Sequence, residues 1–246
     1  MDKPSCNFDT VMKNISDLKL YNIKEAEIVI TRYDEDLSWT EDFAHLCTVY
    51  NKGSPLNEDE GFARVTQIPN YGINQEVILR HIIENYDNLA IMTFFCQGKI
   101  LDRSDQPLYP ILYYLQNPKP TDIRGFLYIS YDAPTWKYSG RISDTNCLAL
   151  EGRTLAQFRT DIIGIPYKQW GEVWVAGDWL SVGSALIRSK PLEYYIWVYN
   201  QCRLDRGIML EEIFFLERSF YSMFTQPLDT EFQNTKGFAP INNKGC

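Results

Sequence analysis

The sequence predicts a single α/β domain with a mixed, mainly parallel sheet flanked by helices. Residues 27–31 and 47–50 are β-branched runs of strand length, and residues 37–45 between them suit one short helix. A strand, a helix and another strand open a parallel βαβ unit. Of the 246 residues, 45 % are hydrophobic, which is enough for one packed core. We expect the strand at 27–31 to be central, with the polar loop after it opening into the main pocket.

The later segments continue this alternation of strands and helices. Further helices are predicted after a cap at Asn74 as far as residue 86, within 107–120, from 189 to 199 and from 208 to 224. Further strands are predicted at 90–96, 126–131, 173–175 and 180–187. The chain is therefore divided into an N-terminal arm (1–25), the α/β domain (26–225) and a flexible C-terminal tail (226–246).

The charge and hydropathy of the chain argue against two classes of partner. The formal net charge is −8, and the richest basic stretches, at 153–159 and 203–206, are short. Such a surface repels nucleic-acid phosphates and anionic lipid headgroups. The longest apolar run, at 90–96, is too short to span a bilayer. We therefore expect no nucleic-acid partner and no membrane span.

The six cysteines indicate a reducing compartment. They contain no C-x-x-C pair, and Cys47 and Cys96 lie inside apolar, strand-like runs, where a free thiol behaves as a small hydrophobic group. The first residues show no basic region followed by an apolar stretch. The sequence therefore predicts a cytoplasmic protein.

Short motifs along the chain occur in the order and approximate spacing of a known family. They are R-Y-D-E-D-L-S-W at 32–39, Y-N-K-G at 50–53, P-N-Y-G at 69–72, H-I-I-E-N-Y-D-N-L at 81–89, F-F-C-Q-G at 94–98, S-K-P-L-E-Y-Y at 189–195 and L-E-R at 216–218. Over about residues 27–224 the chain resembles a domain family of unknown function that occurs in fungi, bacteria and large DNA viruses. A viral protein is therefore one expectation.

The order of elements in this family is similar to that of the nucleotide-diphospho-sugar (GT-A) transferases. The resemblance implies a glycosyltransferase that moves a sugar from a nucleotide-sugar donor to a glycan or another hydroxyl acceptor. The alternative is a non-catalytic sugar- or protein-binding module with a degenerate form of this fold. The chain departs from the family at Ser219 and Phe220, where an aromatic residue and a histidine are more common, and at residues 73–76, where an Arg-Glu pair is more common.

Polar residues after the first strand are the candidates for donor binding. They are Arg32, Tyr33, Asp34, Glu35 and Asp36. Ligands collect outside the carboxyl ends of parallel strands. There a tyrosine can stack on a base, an aspartate can bond to a ribose and an arginine can neutralise a diphosphate. Gln97 and Gly98, which end a later strand, complete the set. The alternative is that the loop residues only cap the following helix.

A divalent cation, Mg²⁺ or Mn²⁺, commonly neutralises the leaving group of such transferases on one or two carboxylates. The acids nearest to the end of the strand at 90–96 are Asp102 and Asp105, which are therefore the candidate metal ligands. A solvated loop is the alternative for both. A metal-free site that uses an arginine or Lys99 is also open.

Two acids are candidates for the base that activates the acceptor. Glu217 lies at the edge of an apolar stripe on the last predicted helix, and Asp178 follows Ala176 and Gly177 at a strand end. Partial burial raises the pKa of a carboxyl group toward the range of a general base. A buried ion pair is the alternative for Glu217, and a turn is the alternative for Asp178. The chain has only two histidines, which excludes a multi-histidine metal site.

Overall fold

A computed structural model describes residues 20–56, 61–99, 115–130, 153–167, 172–202 and 211–238. Its centre is a six-stranded sheet in the order β3-β2-β1-β4-β6-β5. The strands are β1 (Ala26–Arg32), β2 (Cys47–Asn51), β3 (Arg64–Gln67), β4 (Met92–Gln97), β5 (Ile123–Ser130) and β6 (Glu172–Gly183).

The sheet is mixed, with β1 at its centre. Parallel pairing joins β3, β2, β1 and β4, whereas β6 is antiparallel to both β4 and β5. The α/β class, the mixed sheet and the central first strand are thus confirmed. β3 was not predicted, because it has four largely exposed residues and gives no alternating apolar pattern.

Helices flank the sheet on one face, and a 3₁₀ segment covers the other. The helices are α1 (Ile73–Asn85), α2 (Leu155–Phe158), α3 (Ser184–Ile187), α4 (Leu192–Cys202), α5 (Glu211–Glu217), α6 (Phe220–Thr225) and α7 (Thr230–Lys236). Apolar side chains of α1, α4, α5 and α6 form one core with Val29 and Phe95 of the sheet. The second core lies between the opposite sheet face and the 3₁₀ segment Ser38–Leu46. No helix in these described ranges is both long and apolar enough to cross a membrane.

The predicted last helix, from 208 to 224, is divided into α5 and α6. The hydroxyl of Ser219 donates to the carbonyl of Phe215 at 2.6 Å, and its backbone N–H bonds to Leu216. A serine that bonds back to the preceding turn competes with the regular helical pattern and bends the chain there. The apolar stripe predicted across this helix is therefore buried, but it is shared by two helices.

The predicted strand at 180–187 ends at Gly183, and α3 follows at once. A side chain at Gly183 would have its Cβ 2.3 Å from the carbonyl oxygen of Pro120, so only glycine fits this close backbone contact. The backbone N–H of Gly183 donates instead to Asp122 at 2.8 Å. The strand therefore ends at the close contact between Gly183 and Pro120. The alternation of apolar and polar residues over 180–187 does not reveal this contact.

Residues 230–236, which lie within the predicted C-terminal tail, form α7. The side chain of Asp229 caps this helix by accepting the N–H of Phe232 at 3.0 Å. Phe232 packs over Gly164, where a Cβ would lie 2.2 Å from its ring. Lys236 lies over the ring of Trp197 at 4.1 Å. These contacts attach α7 to the domain, whereas the predicted arm before residue 20 lies outside the described residues.

The described cysteines, Cys47, Cys96 and Cys202, are buried free thiols, as predicted for the first two. Burial raises the pKa of all three well above that of an ordinary thiol. They therefore contribute to the structure as small hydrophobic side chains.

Lys190 is a buried cation in the turn before α4. Its Nζ donates to the hydroxyl of Ser189 at 3.0 Å, and its carbonyl accepts the hydroxyl of Tyr86. Burial lowers its pKa from 10.5 to about 8. Between these two values the unfolded chain binds more protons than the folded one, so the contribution of Lys190 to stability rises with pH.

We therefore expect the unfolding free energy of the wild type to rise relative to that of Lys190→Met between pH 8 and pH 10.5. The difference should change by about 3 kcal/mol, since one pKa unit corresponds to about 1.4 kcal/mol. Urea unfolding of both proteins across this pH range measures it. The exposed Lys119→Met is the control and should show no such trend. A pH-independent difference for Lys190→Met contradicts the prediction.

Candidate functional site

A cleft of about 200 Å³ lies at the carboxyl ends of the central parallel strands. We call it the carboxyl-end cleft. Its walls come from the ends of β1 and β4, from the residue after β2 and from the turn before α1. The lining residues are Thr31, Arg32, Tyr33, Glu35, Lys52, Asn70, Ile73 and Gln97.

The first turn of α1 is fixed directly on the end of β1. The helix begins at Ile73, and its N-cap is Gly72, with a φ of 56° and no side-chain cap. The predicted cap, Asn74, is instead buried in the first turn, where its Oδ1 accepts the hydroxyl of Thr31 at 2.5 Å. The prediction of a cap at Asn74 was therefore wrong, because a contact across the fold takes up the amide.

Arg32 fixes the shape of the loop after β1. Its Nε donates to the carbonyl of Glu35 at 2.9 Å, and its Nη1 donates to the oxygens of Tyr33 (3.2 Å), Asn51 (2.8 Å) and Ser54 (2.9 Å). It forms no ion pair with any residue in the described ranges. The guanidinium thus joins the β1 and β2 loops and places a positive charge beside the cleft. This charge also helps the Ser54 bonds to lower the pKa of Asp34.

Lys52 is a second cation in the same cleft. Its Nζ donates to the carbonyls of Tyr71 and Ile73, the second at 2.7 Å, and lies 3.2 Å from Glu76 Oε2. Burial lowers the pKa of Lys52, and the Glu76 carboxylate offsets part of this change. The lysine is therefore held in one position between the end of β2 and the start of α1.

Glu76 connects Lys52 with the outer side of α1. Only 1 % of this residue is exposed, and its Oε1 accepts Arg80 Nε at 2.6 Å and the hydroxyl of Tyr199 at 3.0 Å. Arg80 also donates to Tyr199 at 3.0 Å and to Glu84 at 3.3 Å. A buried carboxylate needs such compensation, and here two cations and a hydroxyl supply it.

The three acids of the β1 loop bond to the chain itself. Asp34 accepts the backbone N–H of Ser54 at 2.8 Å, and Glu35 accepts that of Tyr33 at 2.6 Å. Asp36 accepts both the N–H and the hydroxyl of Ser38, which starts the 3₁₀ segment. These bonds lower the pKa of Asp34, chiefly through Ser54, and that of Asp36, chiefly through Ser38. The capping alternative thus describes Asp36.

Tyr33, Glu35 and Gln97 line the cleft, whereas Asp34 and Asp36 are exposed and are not part of its lining. Tyr33 is 52 % exposed, so its ring is accessible at the rim. Gly98 lies beside them. Its backbone N–H donates to the carbonyl of Thr31 at 2.8 Å, and its carbonyl accepts a hydrogen bond from Trp39 Nε1 at 2.9 Å. The sequence-predicted donor residues are therefore close together, but they divide into lining and supporting groups.

Gly53 is required for the β1 and β2 loops to approach each other. A Cβ at this position would lie 1.6 Å from the carbonyl oxygen of Tyr33, and backbone atoms cannot move away cheaply. The same test at Gly98 gives 3.0 Å to the flexible carboxylate of Glu35. The glycine of Y-N-K-G is therefore the stricter requirement of the two.

The candidate base Glu217 does not line the cleft in the part of the chain that the structure describes. Glu217 is the last residue of α5 and is partly buried, and its Oε2 lies 3.9 Å from Arg218 Nη1. Arg218 in turn lies over the ring of Trp174 at 4.7 Å. Asp178 lies in β6, where the register with β5 shifts.

The pairing of β4 with β6 shows at which end of the sheet Asp178 and Glu217 lie. The last β4–β6 pair is Phe95 with Leu180, so residues 172–179 of β6 continue past the paired part of β4. This extension lies at the carboxyl-end side of the sheet, and Trp174 belongs to it. Asp178 and Glu217 are therefore at the same end of the sheet as the cleft.

The predicted metal ligands Asp102 and Asp105 lie outside the described residues. Among the residues that are described, no group of three or more His, Cys, Asp or Glu side chains is arranged to hold a metal ion. Neither histidine lies in the cleft: His45 contacts the carbonyl of Tyr21, and His81 is in the core.

The loop after β1 does not open into the largest cavity of the described structure, which corrects the expectation of a main pocket there. A larger cavity of about 450 Å³ lies between residues 160–166 and α7, beside Asp161, Gly164 and Phe232. It exists because α7 is folded against the domain, and the sequence predicted a tail there.

Sequence reasoning did not identify Lys52, Asn51 or Glu76. A signal for the first two was available, because Asn51 and Lys52 directly follow a buried strand within Y-N-K-G. For Glu76 the only signal in the sequence was its spacing of four residues from Arg80, and such a spacing usually indicates an exposed ion pair on a helix. Its burial depends on Lys52 and Tyr199, which are distant in sequence.

Comparison with protein-family models, with curated proteins and with solved structures found no match. The interpretation of the cleft therefore depends on its own geometry and charge. Its main elements are two buried cations, an exposed aromatic ring and the start of a helix.

Glu76→Gln should lower the unfolding free energy by about 3–5 kcal/mol, because it leaves the buried Lys52 without its carboxylate. Glu84→Gln changes another Arg80 partner, which is 42 % exposed, and should cost less than about 1 kcal/mol. Urea unfolding at neutral pH measures both. Equal effects would contradict the central role given to Glu76.

Proposed function

We propose that the carboxyl-end cleft binds the diphosphate of a nucleotide sugar, and that the protein transfers the sugar to a hydroxyl acceptor. The observation that carries this proposal is the convergence of two buried cations, Arg32 and Lys52, at the ends of neighbouring parallel strands. Ligands of open α/β sheets bind at such strand ends. The resemblance to the GT-A order of elements supports the same assignment.

The charges of the cleft favour an anion. Its lining contains two cations, Arg32 and Lys52, and one acid, Glu35. Glu76, the carboxylate that pairs with Lys52, lies in α1 and is not part of the lining. The N-terminus of α1 also opens here without a side-chain cap and adds the positive end of the helix dipole. A diphosphate that leaves the donor sugar would be stabilised by these groups without any further cation.

The size of the cleft limits what it holds. Its volume of about 200 Å³ is smaller than the roughly 300–1,000 Å³ of most small-molecule sites, so it suits the diphosphate better than a whole sugar nucleotide. Tyr33 at the rim is the group that would stack on the base, with amide contacts from Gln97 or Asn70. The sugar would then extend toward the β6 extension and Asp178.

In the transfer itself, the acceptor oxygen forms a bond to the anomeric carbon as the bond from that carbon to the phosphate oxygen breaks. The hydroxyl proton passes to a carboxylate, for which Glu217 and Asp178 remain the candidates. The electron pair of the broken bond goes to the diphosphate beside Arg32 and Lys52. A Mg²⁺ or Mn²⁺ ion at Asp102 and Asp105 would add to this neutralisation.

The second candidate function is a non-catalytic sugar- or protein-binding module. The loop acids favour it, because Asp34, Glu35 and Asp36 all bond to the chain itself. Glu217 is also absent from the cleft lining among the described residues. An acid that does not reach the bound donor cannot activate an acceptor.

Donor binding is tested first. We expect one or more UDP-, GDP- or CMP-sugars, assayed by thermal shift with and without Mn²⁺, to raise the melting temperature. Tyr33→Ala should raise the Kd by roughly 5- to 100-fold, which corresponds to loss of one base–aromatic stacking contact. Tyr71→Ala removes another exposed ring, outside the cleft lining, and is the control. If no nucleotide stabilises the protein, both the donor site and the transferase fail.

Glu217→Gln separates the two candidate functions. If Glu217 is the base, the variant should keep its melting temperature and donor affinity but lose roughly 10²–10⁴-fold in turnover. Its ion pair with Arg218, at 3.9 Å, by itself contributes little to stability. Asp178→Asn tests the second acid in the same assay. Full turnover in a stable Glu217→Gln excludes this residue, and the absence of transfer by the wild type favours the binding module.

A further inference from the structure

A second polar cavity, of about 220 Å³, lies at the opposite end of the sheet. We call it the amino-end cavity. It is bounded by the first residues of β1, β2 and β3 and by the C-terminal end of α1. Its polar lining residues are Lys24, Glu27, Thr48, Arg64, Asn85 and Asn88.

The base of this cavity is the carboxylate of Glu27, whose side chain is only 8 % exposed. Its Oε1 accepts the hydroxyl of Thr48 at 2.6 Å. Burial alone raises the pKa of Glu27, but the hydrogen bond and charge of His81, the Thr48 bond and the charge of Arg64 together lower it below the ordinary value. The carboxylate is therefore ionised at neutral pH.

The hydrogen bonding around Glu27 is incomplete. His81 Nε2 is fully buried and faces Glu27 Oε2 at 3.4 Å, which is a long contact. The hydroxyl of Thr93, the register neighbour of Glu27 in β4, is also buried and unpaired within the described ranges. Native structures satisfy nearly all such buried groups. The printed contact of Glu27 Oε2 in the described ranges is the long one with His81, so this oxygen can accept a further donor.

The rim of the cavity has the opposite charge. Arg64 is 42 % exposed, with its Nη2 3.9 Å from Glu27 Oε1 and its Nη1 donating to Asn85 Oδ1 at 3.1 Å. Lys24 is also exposed at the rim. The cavity thus has a buried negative charge at its base and two positive charges at its mouth. A simple anion would meet Glu27, and a simple cation would meet Arg64 and Lys24.

We infer that the amino-end cavity binds a small zwitterion of the amino-acid class, with its ammonium group on Glu27 and its carboxylate on Arg64 and Lys24. The C-terminal end of α1, at Asn85, adds the negative end of the helix dipole on the ammonium side. A volume of about 220 Å³ admits a ligand of this size but not a nucleotide. The inference is independent of the proposed function, because the carboxyl-end cleft lies at the other end of the strands.

Isothermal titration of the full chain with glycine, L-alanine, L-serine and L-threonine tests the inference, with acetate and methylamine as the two half-molecules. We expect one or more amino acids to bind and both half-molecules to bind far more weakly. Arg64→Ala should weaken binding by roughly 10- to 100-fold, the usual effect of losing one charged hydrogen bond. Arg188→Ala removes an exposed arginine outside the cavity and should leave the affinity unchanged.

Several binding results would overturn the inference. In the first, none of the amino acids binds. In the second, acetate or methylamine binds as tightly as an amino acid. In the third, Arg64→Ala and Arg188→Ala change the affinity equally. Glu27→Gln gives a second test, with circular dichroism to confirm that the variant folds, and should abolish binding. Competition by a sugar nucleotide would place the amino acid in the other cleft and would also contradict the inference. Failure here leaves the donor-binding test unaffected.

Discussion

The carboxyl-end cleft depends on one buried charge, that of Glu76. Its carboxylate lies between Lys52 and Arg80 and also accepts the hydroxyl of Tyr199, so it connects the end of β2, the first turns of α1 and helix α4. A buried carboxylate with this much compensation is costly to disturb, because each partner left alone would be a charge or a donor without a counterpart. The position of Lys52 in the cleft follows from this constraint.

Predictability from sequence differed between the sheet and the site for a physical reason. The strands at 27–31, 47–50 and 90–96 were predictable because burial on both sheet faces leaves continuous apolar runs. The contacts of Lys52, Glu76 and Asn74 could not be predicted from the sequence, because each of these residues depends on a partner that is distant in the chain. The loop acids show the limit of prediction: Asp34, Glu35 and Asp36 follow β1, but their oxygens accept bonds from neighbouring backbone N–H groups.

Helix α1 also explains why both ends of the same sheet face are polar. Apolar residues such as Val77 and Ile82 cover Val29 and Phe95 in the middle of the sheet. At the start of the helix Asn74 and Glu76 face the ends of the strands, and near its end His81 and Asn85 lie beside their beginnings. One amphipathic element therefore closes the core and supplies polar groups to two separate cavities.

The length of α1 sets the distance between the carboxyl-end cleft and the amino-end cavity. Its 13 residues place its ends about 18 Å apart, at a rise of about 1.5 Å per residue, so molecules bound at both ends would not touch. A compound that binds only the folded form raises the unfolding free energy of whatever unit contains its site. Because both cavities share α1 and β1, occupancy of either one would protect the same helix and the same central strand from opening.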